Sequence, residues 1–195
     1  MHGPFRIVAY AIASADGMIA DETGSMPKSL NLQADQDFFE KALDHAAVVA
    51  HGRLSQEDQP NSPKRRRLVL TRKIAGLAPH PDNANARLWN PAGASLEEAC
   101  ASVGCFSGAV AVLGGPHVYS LFLKIGYDDF YLSSAPKVKL PGGVPVFAEC
   151  RPGRTPGEVL ASTGHEPGPT QWLDDEVTLV EWRPRALKVP RFLSA

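Results

Sequence analysis

Three stretches of this 195-residue chain place glycines, hydroxyls or cations directly after an apolar run. The run AVAVL (109–113) stops at Gly114, Gly115 and Pro116, and residues at helical spacing follow. The first turn of a helix carries unpaired N–H groups and about half a positive charge, and a glycine turn lets an anion approach it with no Cβ in the way. A glycine pair is equally what a tight strand-to-helix turn requires. AHGRLSQE (50–57) repeats the arrangement, with Gly52 after a short apolar run and Arg53 and Ser55 beyond it. Guanidinium and hydroxyl groups both donate well to phosphate. VLTRK (69–73) closes a third run with Thr71, Arg72 and Lys73, a set suited to a phosphate monoester such as the 2′-phosphate of NADPH. Each stretch alone could be a solvated loop, but the three together favour a phosphorylated dinucleotide. No G-x-G-x-x-G is present, so the standard dinucleotide fingerprint is not the device used.

Two carboxylates are candidates for proton chemistry. Asp35 lies three and four residues before Phe38 and Phe39, so a helix would turn its carboxylate to the apolar face. There it needs a partner or a raised pKa, and it could donate a proton or clamp a polar heterocycle; it could also be an ordinary first-turn acid. Asp16, in the turn SADG, is either a turn former or a substrate contact. His117 could reach a phosphate or simply face solvent. His45 and His51 have no metal spacing, and Cys100, Cys105 and Cys150 form no zinc pattern, so no metal is expected.

These residues require strands ending at a common edge. RIVAYAIA (6–13), AVVA (47–50), RRLVLTRK (66–73), ARLW (86–89), AVAVL and YDDFYLSSA (127–135) read as strands, and GVPVF (143–147) as a short one. Apolar spacing predicts helices over 34–46, 95–104 and from Pro116 onward. The alternation implies an α/β fold with a mixed sheet. Because EVTLVEWRPR (176–185) follows YDDFYLSSA without an obvious helix, a C-terminal antiparallel pair is expected, with the Pro/Gly-rich residues 151–170 as a loop. The whole chain, 1–195, reads as one domain. A net charge of −1 gives no general attraction to nucleic acid or membrane, and KRRR (64–67) without interleaved aromatics reads as a solvated loop end. No apolar run reaches the roughly 18 residues of a membrane span, and no secretory signal is seen, so a cytoplasmic protein is expected.

In this order, AIASADGMIA, ADQDFFEKALDHAAVVAHGR, RRLVLTRK, AVLGGPHVYSLFL and DDFYLSSAPKVKLPGGVPVF resemble the dihydrofolate reductase-like superfamily, and within it the RibD type, the C-terminal reductase domain of riboflavin biosynthesis. The resemblance covers roughly residues 5–150 and implies a three-layer fold, a mostly parallel sheet, NADPH as cofactor, a small heterocyclic substrate and a homodimer. By position it implies that Gly52, Arg53 and Ser55 contact the cofactor and that Thr71, Arg72 and Lys73 hold the 2′-phosphate. Gly114 and Gly115 would lie at the pyrophosphate, Pro116, His117, Val118 and Tyr119 would line the cofactor, and Ile19 would lie near the nicotinamide. Asp35 falls on the active-site acid, Ser133 on a hydroxyl beside it, Asp16 on an acid near substrate, and Arg65 near a position used for a substrate carboxylate tail. Lys28 stands where dihydrofolate reductases carry a Trp. The activity implied is hydride transfer to a pyrimidine or pteridine, most like 5-amino-6-(5-phosphoribosylamino)uracil reductase; the alternatives are reduction of dihydrofolate and a non-catalytic NADPH-binding module.

Overall fold

The computed structural model describes residues 4–55 and 59–185. In chain order the first half forms β1 (Phe5–Ser14), β2 (Met18–Ala20), α1 (Gln33–Asp44), β3 (Val48–Gly52), β4 (Arg67–Leu70), β5 (Leu77–Pro79) and β6 (Ala86–Trp89). There follow α2 (Leu96–Ser102), β7 (Gly108–Val112), α3 (Pro116–Ile125), β8 (Asp129–Ala135), β9 (Val144–Pro145), α4 (Pro156–Ser162), β10 (His165–Pro167), β11 (Gln171–Trp172) and β12 (Thr178–Pro184).

One ten-stranded sheet dominates, in the order β10-β12-β8-β1-β7-β3-β4-β6-β5, with β11 on β12; β2 and β9 pair separately. The stretch β8-β1-β7-β3-β4-β6 is parallel throughout, and antiparallel strands finish both edges. Parallel strands covered on both faces read as continuous apolar runs, and β1, β3 and β7 do so. Period-two alternation then divides their side chains between two helix layers. Val48, Ala50, Val110 and Val112 join the main core with Leu96 and Ala99 of α2 and Val118 and Phe122 of α3. Val49 and Ala111 face the other way, against Leu43 and Phe39 of α1.

The mixed, mostly parallel sheet and its flanking helices agree with the expected fold class. β12 lies antiparallel to β8, Val180 opposite Leu132, as expected of the C-terminal pair. Their connection differs, because residues 151–170 are not all loop. Thr155 caps α4: the Glu158 N–H donates to Thr155 Oγ1 at 3.2 Å, and the Thr155 N–H donates back to Glu158 Oε2 at 2.7 Å. This reciprocal box, with Pro156 in the first turn, starts a short helix that buries Val159 and Leu160. The Thr-x-x-Glu signal was in the sequence, but the surrounding prolines and glycines obscured it.

Candidate active site

Because the central strands are parallel, their C-terminal ends share one edge, where α/β sheets form ligand crevices. A cleft of about 1410 Å³ runs along this edge. Gly52, Arg53 and Ser55 line it after β3; Thr71, Arg72 and Lys73 after β4; and Gly115, Pro116, His117 and Val118 at the start of α3.

The two glycine junctions meet. The Gly52 N–H donates to the Gly114 carbonyl at 2.7 Å, and a Cβ on Gly115 would lie 3.3 Å from Ser55 Oγ. Gly114 has φ +86°, and a Cβ on it would come within 2.5 Å of the Tyr119 ring. Gly114 therefore needs glycine for both conformation and space, while a side chain at Gly115 would crowd Ser55. The Gly114–Gly115 peptide is cis. Gly115 caps α3 without a side-chain partner, Pro116 brings no N–H, and the Val118 and Tyr119 N–H groups return to the Gly115 carbonyl at 2.9 and 3.0 Å. Thr71 is buried, and its Oγ1 accepts the Lys73 N–H at 3.2 Å, while Arg53, Arg72 and Lys73 stand exposed at the rim. The start of α3 and the exposed Arg53, Arg72 and Lys73 therefore place a helix N-terminus and three cations along one cleft, groups able to receive phosphate.

The other half of the cleft is built by β1, residues 19–36, α1 and β8. Asp35 is 7% exposed, and the Ser133 side chain hydrogen-bonds its carboxyl. Burial pushes the Asp35 carboxyl up to about 6, against the opposing pull of Ser133. The helix N-cap is Leu32, with no side-chain cap bond, and the hydrogen-bond partner of Asp35 comes instead from β8. Ile19, Met26, Phe38 and Phe39 also line this half. Such a carboxyl, half protonated near pH 6, can hold a proton against a ring nitrogen or donate it.

Four of the residues singled out from sequence lie outside the cleft lining. Gly114 and Tyr119 sit directly behind it: the Tyr119 hydroxyl donates to the Tyr10 carbonyl, and its ring fills the space beside Gly114. Asp16 staples loops, accepting the Ser14 hydroxyl at 2.6 Å and the Leu140 N–H at 3.0 Å. Desolvation works upward on it, but these bonds and nearby Lys139 hold its carboxyl below the usual range. Arg65 is buried, and its Nη2 donates at 2.7 Å to Oδ1 of Asp44, the last residue of α1. Conversely, the cleft is lined by Tyr10, Tyr131, Gln36, Gln59, Asn90 and Glu149, none of which was singled out. Tyr131 lies two residues before Ser133, so period two alone puts it on the same face. Tyr10 needed the register, which sets it opposite Tyr131.

No family model matches the sequence, and no curated protein matches it. Solved structures do. A protein from Shewanella sp. PV-4 assigned to riboflavin biosynthesis is 19% identical at TM-score 0.64, with 92% of this chain and 99% of that chain covered. Dihydrofolate reductase from Enterococcus faecalis, complexed with NADP(H), is 19% identical at TM-score 0.59, with 91% and 95% covered. The chain has the dihydrofolate reductase-like fold. A deaminase/5-amino-6-(5-phosphoribosylamino)uracil reductase from Thermotoga maritima matches at 18% identity and TM-score 0.60, and this chain spans 56% of its length. RibD from Acinetobacter baumannii matches at 13% identity and TM-score 0.60, with 59% of its length spanned.

Proposed function

We propose that this protein is an NADPH-dependent reductase that transfers a hydride to a pyrimidine- or pteridine-type heterocycle. The observation that carries the proposal is the joined glycine cradle at the mouth of α3, opening into the same cleft as the buried Asp35–Ser133 pair. Gly115 and the first turn of α3 would hold the pyrophosphate, and Arg53, Thr71, Arg72 and Lys73 the adenosine 2′-phosphate. When bound, the reduced nicotinamide supplies the hydride. Asp35, oriented by Ser133, holds the proton at its carboxyl oxygen and presents it to a nitrogen of the acceptor ring. Ile19 and Met26 line the same end of the cleft. The solved structures serve as templates for two acceptors, the phosphoribosylaminouracil of the riboflavin reductases and dihydrofolate. We further infer a single domain over 1–195, acting as a cytoplasmic homodimer.

The test is cofactor binding with a paired variant. Arg72→Ala/Lys73→Ala should raise the Kd for NADPH about a hundredfold and leave NADH within about threefold, because two charge-assisted contacts to one phosphate are lost. Equal affinity of the wild type for NADPH and NADH, measured by calorimetry, overturns the assignment. The non-catalytic alternative is addressed by NADPH oxidation against a panel of pterins and aminopyrimidines.

A further inference from the structure

The cleft straddles α3. The strand that leads into this helix, β7, lies between β1 and β3 in the sheet, so one flank of α3 faces the ends of β3 and β4 and the other faces the end of β1. Val118 marks the first flank, because a Cβ on Gly52 would lie 3.5 Å from its Cγ2. The exposed Arg53, Arg72 and Lys73 stand on that side, at the ends of β3 and β4. Ser120 follows Val118 by two residues, about 200° around the helix, and marks the second flank. Ala20, from the segment after β1, and Val144, its partner in the β2–β9 pair, line the cleft together with Ser120, Ala148 and Glu149.

On the second flank a carboxylate is held in place. Ser120 is buried at 8% exposure; its Oγ donates to Glu149 Oε2 at 2.5 Å and accepts the Ala148 N–H at 3.0 Å. Val146 and Phe147, just before, are fully buried, and the Cys150 N–H returns to the Phe147 carbonyl at 3.1 Å, so the turn that carries Glu149 is anchored on both sides. Among the described residues Glu149 forms no salt bridge, not even with Lys124 one turn beyond Ser120, and its Oε1 receives no hydrogen bond. A carboxylate in a cleft suited to phosphates repels the ligand unless the portion that reaches it carries hydrogen-bond donors.

We infer that Glu149 is a cofactor-binding residue that accepts hydrogen bonds from the hydroxyls of the nicotinamide ribose. The assignment rests on the reductase reading and deepens it. A nicotinamide dinucleotide with an added phosphate has two sugars of different character. The adenosine sugar carries that phosphate and belongs with the cations at the ends of β3 and β4. The nicotinamide sugar carries a free pair of adjacent hydroxyls. It belongs between the pyrophosphate at the start of α3 and the ring beside Ile19, which is the flank of Ser120 and Glu149. Two adjacent O–H donors match a carboxylate, which has more acceptor lone pairs than the single bond from Ser120 uses. That bond also fixes the carboxylate before the ligand arrives, so less side-chain freedom is lost on binding.

The experiment is calorimetric titration of the full chain and its Glu149 variants with NADPH and with adenosine 2′,5′-bisphosphate, the portion of the cofactor that lacks the nicotinamide ribose. Glu149→Ala should raise the Kd for NADPH about tenfold, the scale of a lost hydrogen bond to a charged group, and leave that for the bisphosphate within about twofold. Glu149→Gln keeps a partner for Ser120 and loses the charge. It should show the same split at about threefold, a result that can be read even where the alanine variant does not fold. An unchanged or lower Kd for NADPH overturns the assignment, because the carboxylate then only braces Ser120 or repels the cofactor. Equal weakening of NADPH and the bisphosphate also overturns it, since a general loss of structure or a contact to the adenosine half acts on both. The wild type tests the reductase reading separately. A wild type that binds NADPH, with variants that bind it equally well, loses this assignment alone, and a wild type that does not bind NADPH loses the reductase reading itself.

Discussion

At the scale of the residue, Asp35 shows how a functional requirement opposes stability. Its carboxyl is driven upward by burial to about 6, well above its ordinary 3.8. Between those values the folded chain binds the proton more tightly than the unfolded chain. The stabilising contribution is therefore complete below about 3.8 and is lost as pH rises through about 6. Above that, burying the carboxylate costs roughly 2–3 kcal/mol, at 1.36 kcal/mol per pKa unit. Asp35→Asn should accordingly raise Tm at pH 8 and leave it nearly unchanged at pH 4, as thermal melts at the two values would show. The same variant should lower kcat on the accepted heterocycle at least a hundredfold without changing the Kd for NADPH. In the wild type, kcat/KM should fall about tenfold per pH unit above pH 6, since the protonated fraction of Asp35 falls so. The sequence already turned Asp35 inward through its spacing to Phe38 and Phe39. It left open whether the acid caps its helix or faces a ligand, and the bond from Ser133 on a distant strand favours the second.

At the scale of the element, the strand-to-helix junction at Gly114 and the cap of α4 make different demands. Gly114→Ala places a Cβ 2.5 Å from the ring of Tyr119 at a φ of +86°, and Tyr119 is itself buried at 3% exposure. The backbone is held by the Gly52 N–H bond to the Gly114 carbonyl, and the ring by the Tyr119 hydroxyl's bond to the Tyr10 carbonyl. The substitution should lower the affinity for NADPH at least tenfold and destabilise the chain by roughly 2–4 kcal/mol, read by calorimetry and urea unfolding. Thr155→Ala, in contrast, removes one half of a capping box far along the chain from the glycine cradle. It should cost about 1 kcal/mol, a fall of a few degrees in Tm, with kcat/KM within about twofold of wild type. The glycine junction was readable because its chemistry is local: a strand end, two residues without side chains, and a proline that starts a helix. The start of α4 was equally local, yet its capping pair was outweighed by the Pro and Gly content around it.

At the scale of the whole molecule, β12 joins the C-terminal segment to the central sheet. It pairs with β8 along residues 130–134 and brings Arg183 to Asp129, which also receives Arg6 from β1. Without β12, the edge of β8 would lose its pairing, and Leu179, which β12 buries at 3% exposure, would be missing. The intact chain should therefore unfold in urea in one transition, coincident by tryptophan fluorescence and circular dichroism, and a chain ending at Thr170 should not fold. Two separated transitions would show that the C-terminal segment folds apart from the rest. NADPH at a hundred times its Kd should add about 2.7 kcal/mol to this single transition. By itself the sequence determined the class of fold, the three strand ends that could receive phosphate and the inward direction of Asp35, because each depends on residues within one helix turn or one strand. Tertiary structure decided that the Gly52 and Gly114 junctions touch, that Arg65 is engaged by Asp44 away from the cleft, and that Tyr10 stacks on Tyr131. Those are long-range facts, set by which strands lie side by side and in what register, and local spacing carries no record of either.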